Sequence, residues 1–416
     1  MAGRESKRVR RTPAVRTHFV LLAMAGLVLA VGFLLGAASL FGPDRKPAPE
    51  GAANESVGLA SEVQTPAPAP TETAAEPTQL PVESASPAVV EMLRPPPAEG
   101  GARYWGVSMQ GVPWDMQQLA EWEDSVAGKR VSIIHYWQFW KSGPDQGLLP
   151  FSATLLGRVR TKGAIPMISW APEQMGGGTN QADFRLGKII DGSYDDYIHE
   201  WASGAKEWGH PFFLRWGHEM NSDWFAWSED ANGNQRGEFV QAWRHIHDIF
   251  ASVGAYNVSW VWCPNVDQTG SSWPAFSSLY PGDSYVDWTC LDGYNWSTFR
   301  PSGWKTFNDL YAHSYDAITQ LAPSKPLMIG EWGSAEQGAP AGVSKAAWIA
   351  DALSIQIPNK FPRVKAQVWY DWQFDGVDWR LQSSQSAADA WRAAISSPTY
   401  LDNQFGALTA SPIPEP

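Results

Sequence analysis

The sequence predicts a TIM barrel, a closed (β/α)8 fold of the α/β class, for residues 101–410. Short, nearly continuous apolar runs alternate with amphipathic helical stretches in this part of the chain, which is typical of a parallel sheet buried on both faces. Eight such runs occur, which is the number of strands in a barrel of this type. All 24 tryptophans of the 416-residue chain lie beyond residue 100, so the core-forming residues belong to one unit of suitable length.

The predicted strands are short and apolar throughout. They are Tyr104 to Met109, Val131 to His135, Ala164 to Trp170, Phe212 to Trp216, Val258 to Cys263, Leu291 to Tyr294, Pro326 to Ile329 and Val364 to Trp369. Between them, the stretches from Gly237 to Val253 and from Ser344 to Ile355 have helical spacing and are predicted crossover helices. A doubly wound open sheet is the alternative, but no glycine-rich phosphate loop follows the first run, where that fold usually has one.

An apolar stretch near the N-terminus predicts export of the barrel. Residues 1–18 are rich in arginine, and the uncharged stretch from Phe19 to Phe41 is long enough as a helix to cross a bilayer core of about 30 Å. The basic residues place the first segment in the cytoplasm and the rest outside. The stretch exceeds the apolar region of about 7 to 15 residues in a signal peptide, which favours a single-pass membrane anchor. A cleaved signal peptide is the alternative, and either version places the barrel at the cell surface or in the medium.

Residues 42–100 are rich in proline, alanine, glutamate and threonine and have almost no aromatic side chains. Such a segment buries too little apolar surface to offset the chain entropy lost on folding. We therefore expect a disordered linker, extended by its prolines, that holds the barrel away from the membrane.

Charge and cysteine content exclude several classes of partner. The net charge of −12 argues against nucleic acid, while binding to neutral polymers is unaffected. Cys263 and Cys290 are the only cysteines, so the chain has neither a disulfide framework nor a cysteine-based zinc site. One disulfide is possible in an exported protein, but the two cysteines lie in neighbouring predicted strands, and we expect them to be unpaired.

One polar segment has a partial likeness to a calcium loop. Asp230 to Asn234 has the alternating oxygen-bearing side chains, but Gln235 and Gln241 stand where such a loop needs glycine and glutamate. We expect a solvated turn there. The sequence predicts no metal and no cofactor, and the barrel is expected to act as a monomer.

Two glutamates follow apolar runs and are the leading candidates for catalysis. Glu219 lies in Arg215-Trp216-Gly217-His218-Glu219-Met220-Asn221 after the fourth run, and Glu331 lies in Gly330-Glu331-Trp332-Gly333 after the seventh. Barrel enzymes keep their chemistry at the carboxyl ends of the strands, and strands four and seven lie on opposite sides of the ring. Two carboxylates facing one cleft are the minimum equipment for hydrolysing a glycosidic bond, and a separation of about 5 to 5.5 Å predicts retention of configuration.

These motifs, together with Trp260-Val261-Trp262-Cys263-Pro264-Asn265 and Leu291-Asp292-Gly293-Tyr294-Asn295-Trp296, resemble glycoside hydrolase family 26 over most of residues 103 to 400. The resemblance implies a clan A retaining glycosidase with Glu219 as acid/base and Glu331 as nucleophile. It implies endo-acting hydrolysis of β-1,4-mannan by double displacement. Mixed-linkage β-glucan and β-1,3-xylan are alternative substrates. A surface carbohydrate-binding protein without catalysis is the alternative from another class.

The resemblance also implies roles for side chains around the two glutamates. His218 is implied to bind sugar at the scissile bond, and Tyr294 to donate a hydrogen bond to the nucleophile. Arg215 is expected near Glu331, because an arginine buried on a strand requires a carboxylate partner.

Aromatic side chains provide flat apolar platforms for sugar rings. Trp224 corresponds to a tryptophan that the family places near the cleaved bond, and Trp369 and Trp372 are expected to form the floor of the same subsite. Further candidates for substrate binding are His135, Trp137, Trp170 and Trp296.

Overall fold

The eight predicted strands form a closed barrel in which every neighbouring pair is parallel. The computed structural model describes residues 101–267 and 272–416. Each strand pairs with the next along the chain, and the eighth pairs with the first, so the described sheet has no free edge. The strands are β1 (Tyr104–Met109), β2 (Ile133–Lys141), β3 (Ile165–Gln174), β4 (Phe212–Trp216), β5 (Val258–Trp262), β6 (Trp288–Asn295), β7 (Leu327–Ser334) and β8 (Val364–Asp371). The predicted TIM barrel is therefore confirmed, and the open sheet is excluded.

Helices connect the strands and pack on the outside of the barrel. A short hairpin, β9 (Gln373–Phe374) and β10 (Val377–Asp378), follows β8. The helices are α1 (Met116–Trp122), α2 (Ala153–Thr161), α3 (Leu186–Ile190), α4 (Asp195–Trp208), α5 (Glu238–Val253), α6 (Phe276–Leu279), α7 (Phe307–Leu321), α8 (Lys345–Asp351), α9 (Ile357–Asn359) and α10 (Gln385–Ile395). The predicted helix from Gly237 is α5, and the one from Ser344 is α8 with the π-helical turn Ala352–Gln356 that continues it.

Strand β4 illustrates how the barrel divides its side chains between two cores. Phe212, Leu214 and Trp216 belong to the apolar cluster between strands and helices, whereas Phe213 belongs to the cluster inside the barrel. Because side chains alternate along a strand, Arg215 occupies the next inward position after Phe213, towards the carboxyl end. A charged side chain therefore lies inside the barrel, one inward position above the apolar Phe213 and just below the mouth.

The C-terminal residues close the opposite, amino-terminal end of the barrel. Ile413 is buried in the inner cluster, and its backbone N–H donates to Ser259 Oγ at 2.7 Å. The indole of Trp288 donates to the carbonyl of Ile413 at 2.8 Å, and the hydroxyl of Tyr104 donates to the carbonyl of Pro414 at 3.1 Å. The packed domain thus extends past the predicted boundary at residue 410.

The predicted anchor and linker, residues 1–100, lie outside the described part of the chain, so both stay predictions. Within residues 101–267 and 272–416, no helix combines the length and the apolar character needed to cross a bilayer.

Candidate active site

Glu219 sits at the mouth of the barrel because the chain turns sharply after β4. Gly217 and Glu219 both have φ of 53°, in the left-handed region that a residue with a side chain enters at a cost of about 1 to 2 kcal/mol. The backbone N–H of Glu219 donates to the carbonyl of Cys263 at 2.7 Å, which ties this turn to the end of β5. The turn leaves Glu219 almost buried, with 7% of the residue's surface exposed.

Glu331 lies on β7 and is held by two donors. The hydroxyl of Tyr294 donates to Oε2 of Glu331 at 2.6 Å, and the guanidinium of Arg215 donates to Oε1. Gly330 precedes it because a Cβ there would lie 2.5 Å from Sγ of Cys290 and 2.8 Å from a carboxyl oxygen of Asp292. Each oxygen of the Glu331 carboxyl group therefore has its own donor, which fixes the orientation of the group.

Arg215 connects three strands beneath the two glutamates. Besides Glu331, it donates to Oδ2 of Asp292 on β6 at 2.5 Å and to Oγ of Ser169 on β3 at 2.7 Å. The side chains of Arg215 and Asp292 are fully buried. Burial raises the pKa of Asp292 well above its ordinary value, and Arg215 opposes that rise while Glu331 and Glu219 add to it. The guanidinium is thus the one cation in a group of three carboxyls.

His135 completes this network as a neutral ring. Its Nε2 lies 2.6 Å from Oγ of Ser169 and 3.2 Å from Nη2 of Arg215, so both neighbours can donate to it. Burial lowers the pKa of His135 well below its ordinary value, and Arg215 and His218 lower it further. With Nε2 as the acceptor, the proton is on Nδ1, and this buried atom has no hydrogen-bond partner.

The surroundings of Glu219 differ from those of Glu331. The indole N–H of Trp224 donates to Oε2 of Glu219 at 2.9 Å. Burial raises the pKa of Glu219 to about 7, with Glu331 adding to the rise; hydrogen bonds from Asn265 and Trp224 and the charge of Arg215 act in the opposite direction. A carboxyl group with a pKa near 7 can both give and take a proton at neutral pH.

His218 lies in the mouth beside the acid. Its ring packs 4.8 Å from the ring of Phe225 and 5.3 Å from that of Trp227, whose indole donates to the carbonyl of His218. Burial lowers the pKa of His218 well below its ordinary value, and Arg215 acts in the same direction. Its Nδ1 is buried without a hydrogen-bond partner, as in His135. The two neutral imidazoles therefore present unused polar atoms near the glutamates.

An aromatic cluster forms one side of the mouth. Trp372 packs against Trp137 and Tyr370, and its indole donates to Oγ of Ser108 at 3.3 Å. Tyr370 and Tyr294 meet edge to face at 5.4 Å, next to Glu331. The cluster comprises Trp137, Tyr294, Trp296, Phe299, Tyr370, Trp372, Phe374 and Trp379. Trp137, Trp296 and Trp372 thus belong to one cluster, and their roles in binding sugar stay predictions.

The predicted placement of Trp170 and Trp369 at the mouth is wrong. Trp170 is fully buried against Trp201 of α4, with the rings stacked at 4.5 Å. Trp369 is fully buried against Trp391 of α10, and both tryptophans belong to the cluster between strands and helices. On β8 the inward side chain is Tyr370, one residue further along. Because β8 is apolar on both faces, its pattern does not indicate which residues point inward.

Sequence reasoning missed Asp292, Ser169 and Asn265 as site residues. Asp292 had a usable signal: it is a charge within an apolar run, two residues before Tyr294 and hence on the same face. Ser169 lies opposite Arg215 in the pairing of β3 with β4, a relation that depends on register. Asn265 follows β5 in a loop, where no periodic pattern identifies neighbours.

The expectation of unpaired cysteines is also wrong. Cys263 and Cys290 are joined by a disulfide between adjacent strands, on the floor of the site. Sγ of Cys263 lies 3.2 Å from Oδ1 of Asp292 and 3.6 Å from Nη1 of Arg215. Cys263, Cys290 and Asp292 form a cluster of potential metal ligands among the described residues. Their sulfurs are bonded to each other, however, and are not the thiolates that a soft metal requires.

In the segment compared with a calcium loop, Asn232 and Asn234 are buried and hydrogen-bonded, although Asp230 and Gly233 are exposed as expected for a solvated turn. Asn232 donates to the carbonyls of Gln181 and Ala226 and accepts from the N–H of Gln181 at 2.7 Å. Asn234 donates to the carbonyl of Ala226 and accepts from the N–H of Leu186. These amides bind the loop that contains Trp224 to the loop after β3.

The chain is similar to known proteins over the part that contains both glutamates. Residues 115–333 match the model of glycosyl hydrolase family 26. Endoglucanase H of Acetivibrio thermocellus is 34% identical over 291 residues, 68% of this chain and 30% of that protein. A mannan endo-1,4-β-mannosidase of Bacillus subtilis is 29% identical over 154 residues, 36% of this chain and 35% of that protein. The chain thus spans about a third of the length of these relatives.

A solved structure supports the fold independently. A modular endo-β-1,4-mannanase from Cellulomonas fimi has a TM-score of 0.56 to this chain at 18% sequence identity, with 75% of each chain covered. At that identity the likeness concerns the barrel alone.

Replacement of Arg215 by methionine should destabilise the fold in a pH-dependent way. Without the cation, Asp292 and Glu331 are buried without a charge partner, and the loss should be about 3 to 5 kcal/mol at pH 8. Loss of the cation leaves the folded-state pKa of Asp292 still further above its unfolded value, so stability falls as pH rises, and the loss should be smaller at pH 5. Urea unfolding at both pH values measures this.

Arg300→Met is the matched control. Arg300 pairs with Asp375, but both side chains are partly exposed, at 38% and 27%, so its replacement should cost no more than about 1 kcal/mol at either pH. Equal losses for the two variants would contradict the central role of Arg215.

Proposed function

The chain belongs to glycosyl hydrolase family 26, and we propose that it is an endo-acting β-glycanase that works by double displacement with retention of configuration. The observation that carries the proposal is the contrast between two carboxyl groups at one mouth. Glu331 accepts hydrogen bonds from Arg215 and Tyr294, whereas burial raises the pKa of Glu219 to about 7. Such a contrast separates a nucleophile from an acid.

Glu331 is the proposed nucleophile. In the first step its carboxylate attacks the anomeric carbon, and the bond from that carbon to the leaving oxygen breaks, which gives a glycosyl-enzyme ester. Arg215 and Tyr294 hold the attacking group in one orientation, which reduces the entropy lost on reaching the transition state.

Glu219 is the proposed acid and then base. It gives its proton to the leaving oxygen in the first step. In the second step it removes a proton from water as that water attacks the anomeric carbon, and the bond from this carbon to the Glu331 carboxyl oxygen breaks and frees the sugar. The first step requires a protonated Glu219, so kcat/KM should fall as pH rises through about 7.

The site offers both polar and aromatic groups to a sugar at the cleaved bond. Nδ1 of His135 and Nδ1 of His218 are buried without a protein partner, and sugar hydroxyls can satisfy them. Trp137 and Trp372 lie in the aromatic cluster on the same mouth and can receive the apolar face of a ring. A neutral β-glycan suits this lining. The proposed location is outside the cell, as residues 1–41 predict.

Among β-glycans, we place mixed-linkage β-glucan ahead of β-1,4-mannan, the substrate that the sequence resemblance favours. Endoglucanase H matches nearly twice as much of this chain as the mannosidase does, and at higher identity. The other possibility, a barrel that binds polysaccharide without cleaving it, fits poorly with a complete pair of glutamates and their partners.

Reducing-sugar release from mixed-linkage β-glucan, β-mannan and β-1,3-xylan tests this function. We expect release of several product sizes from mixed-linkage glucan, because endo action cuts within the chain, and less from mannan. Chromatography of the products measures both. Binding to these polymers with no release from any would contradict the proposed activity, and release from mannan alone would restore mannan as the substrate.

The first product should retain the β configuration. Retention follows if the two carboxyl groups are about 5 to 5.5 Å apart, since that gap does not admit a directly attacking water. Proton NMR of the first-formed anomer, recorded before mutarotation, measures the outcome. An early α product would mean inversion and would refute the covalent intermediate.

Removal of each glutamate should have a different effect. Glu331→Ala should lose at least about 10³-fold in kcat, and azide should restore turnover as a glycosyl azide of inverted configuration, because the anion takes the place of the nucleophile. Glu219→Ala should spare aryl glycosides with good leaving groups, which need no proton to depart. Rates on activated and natural substrates measure both effects.

Glu121→Ala, a change at an exposed glutamate on α1, is the control and should leave activity unaltered. Equal losses on activated and natural leaving groups in Glu219→Ala would exclude the acid role.

A further inference from the structure

The hydrogen bond from Trp224 to Glu219 depends on where the Trp224 indole is held. Trp224 is only half-buried, and its N–H donates to Oε2 of Glu219 at 2.9 Å. Two aromatic neighbours contact its ring among the described residues. Phe225 is the next residue along the chain, at 6.4 Å, and Trp273 meets the ring edge to face at 5.1 Å and 77°. Trp273 is therefore the ring contact that comes from another loop.

Trp273 lies in the loop between β5 and α6, which reaches Glu219 by a second route. Asn265, at the start of the same loop, has a side-chain hydrogen bond to Glu219. The backbone of Asn265 is fixed to Asn221 by two hydrogen bonds, of 2.8 and 2.9 Å. One end of the loop thus contacts the carboxyl group directly, and Trp273 contacts it through Trp224.

We propose that Trp273 is a positioning residue for the acid/base: it holds the Trp224 indole so that the N–H keeps donating to Glu219. This inference rests on the proposed role of Glu219. Edge-to-face aromatic pairs are stabilising beyond the area that they bury, and this pair limits the rotation of a half-buried indole. Trp273 contacts the ring of Trp224, and Trp224 in turn donates to Glu219, so Trp273 acts on the carboxyl group through Trp224.

The sign of the effect follows from the charges that face Glu219. Burial and Glu331 favour its protonated form, while Arg215, Asn265 and Trp224 favour the carboxylate. Asp292, Tyr294, Tyr311 and Tyr370 are the other titratable groups whose ionisation is coupled to Glu219. None of these changes when Trp273 is replaced. Loss of the indole N–H bond therefore removes a group that favours the carboxylate, and Glu219 stays protonated to higher pH.

The pH dependence of kcat/KM on a natural oligosaccharide tests the proposal. In Trp273→Ala, the alkaline limb of the profile, where kcat/KM falls as Glu219 loses its proton, should move to higher pH by about 0.3 to 1 unit. This is the size expected for one neutral hydrogen bond. Trp273→Phe keeps an aromatic edge against Trp224 and should leave the limb within about 0.2 unit of wild type. Trp114→Ala, which removes an exposed indole on the loop after β1, is the matched control and should not move it.

A double-mutant cycle separates positioning from a general loss of structure. Trp224→Phe removes the N–H and should shift the limb at least as far as Trp273→Ala does. Adding Trp273→Ala to Trp224→Phe should then shift it no further, because the bond through which Trp273 acts is already gone. Additive shifts, or a fall in rate with no shift in Trp273→Ala, would overturn the proposal.

A readout without turnover keeps this inference distinct from the proposed function. In protein with ¹⁵N-labelled tryptophan, the Trp224 indole signal is the one missing in Trp224→Phe, and it should follow the titration of Glu219. In Trp273→Ala it should move towards the position of a solvent-exposed indole. If wild type cleaves no glycan, the proposed function fails, and an unmoved signal would separately refute the role of Trp273.

Discussion

The buried charge of Arg215 is the constraint around which the mouth of the barrel is built. Moving a guanidinium out of water costs several kcal/mol of free energy. Close, well-oriented hydrogen-bond acceptors in the interior must offset this cost. The shortest hydrogen bonds of the guanidinium go to acceptors on three other strands: Ser169 on β3, Asp292 on β6 and Glu331 on β7. The strands must therefore keep a register that brings these three side chains to the guanidinium. The need to pair the buried charge thus constrains the register of the sheet, and the register in turn places the partners of the charge.

The same cation explains why two glutamates at one mouth differ in chemistry. Arg215 donates to Glu331, whereas Glu219 experiences Arg215 only as a nearby charge and receives its hydrogen bonds from the neutral groups Trp224 and Asn265. Burial in an aromatic setting then favours the protonated form of Glu219. The proposed roles of the two carboxyl groups thus depend on their distance to a single guanidinium, which is held on the strand that leads to Glu219.

Much of this arrangement was predictable from the sequence, and the limits have physical reasons. The eight strands were detectable because each is buried on both faces and is apolar throughout. That same property hid which residues point inward, so Trp369 was assigned to the mouth where Tyr370 lies, and Trp170 was assigned there although it packs on α4. Glu219 and Glu331 were found because a charge after an apolar run is conspicuous. The Cys263–Cys290 disulfide and the contact of Trp273 with Trp224 depend on distances in space, for which the sequence contains no local signal.

The closed ring also sets an order in time while the protein is being made. Tyr104 of β1 pairs with Ala366 of β8, so β1 is translated long before the strand that covers its second edge. At about 5 to 20 residues per second, that edge waits roughly 10 to 50 s for its partner. An unpaired strand edge is a template for association with other chains. Faster translation therefore shortens the time in which the unpaired edge of β1 can associate with neighbouring nascent chains, and more copies should close the native barrel.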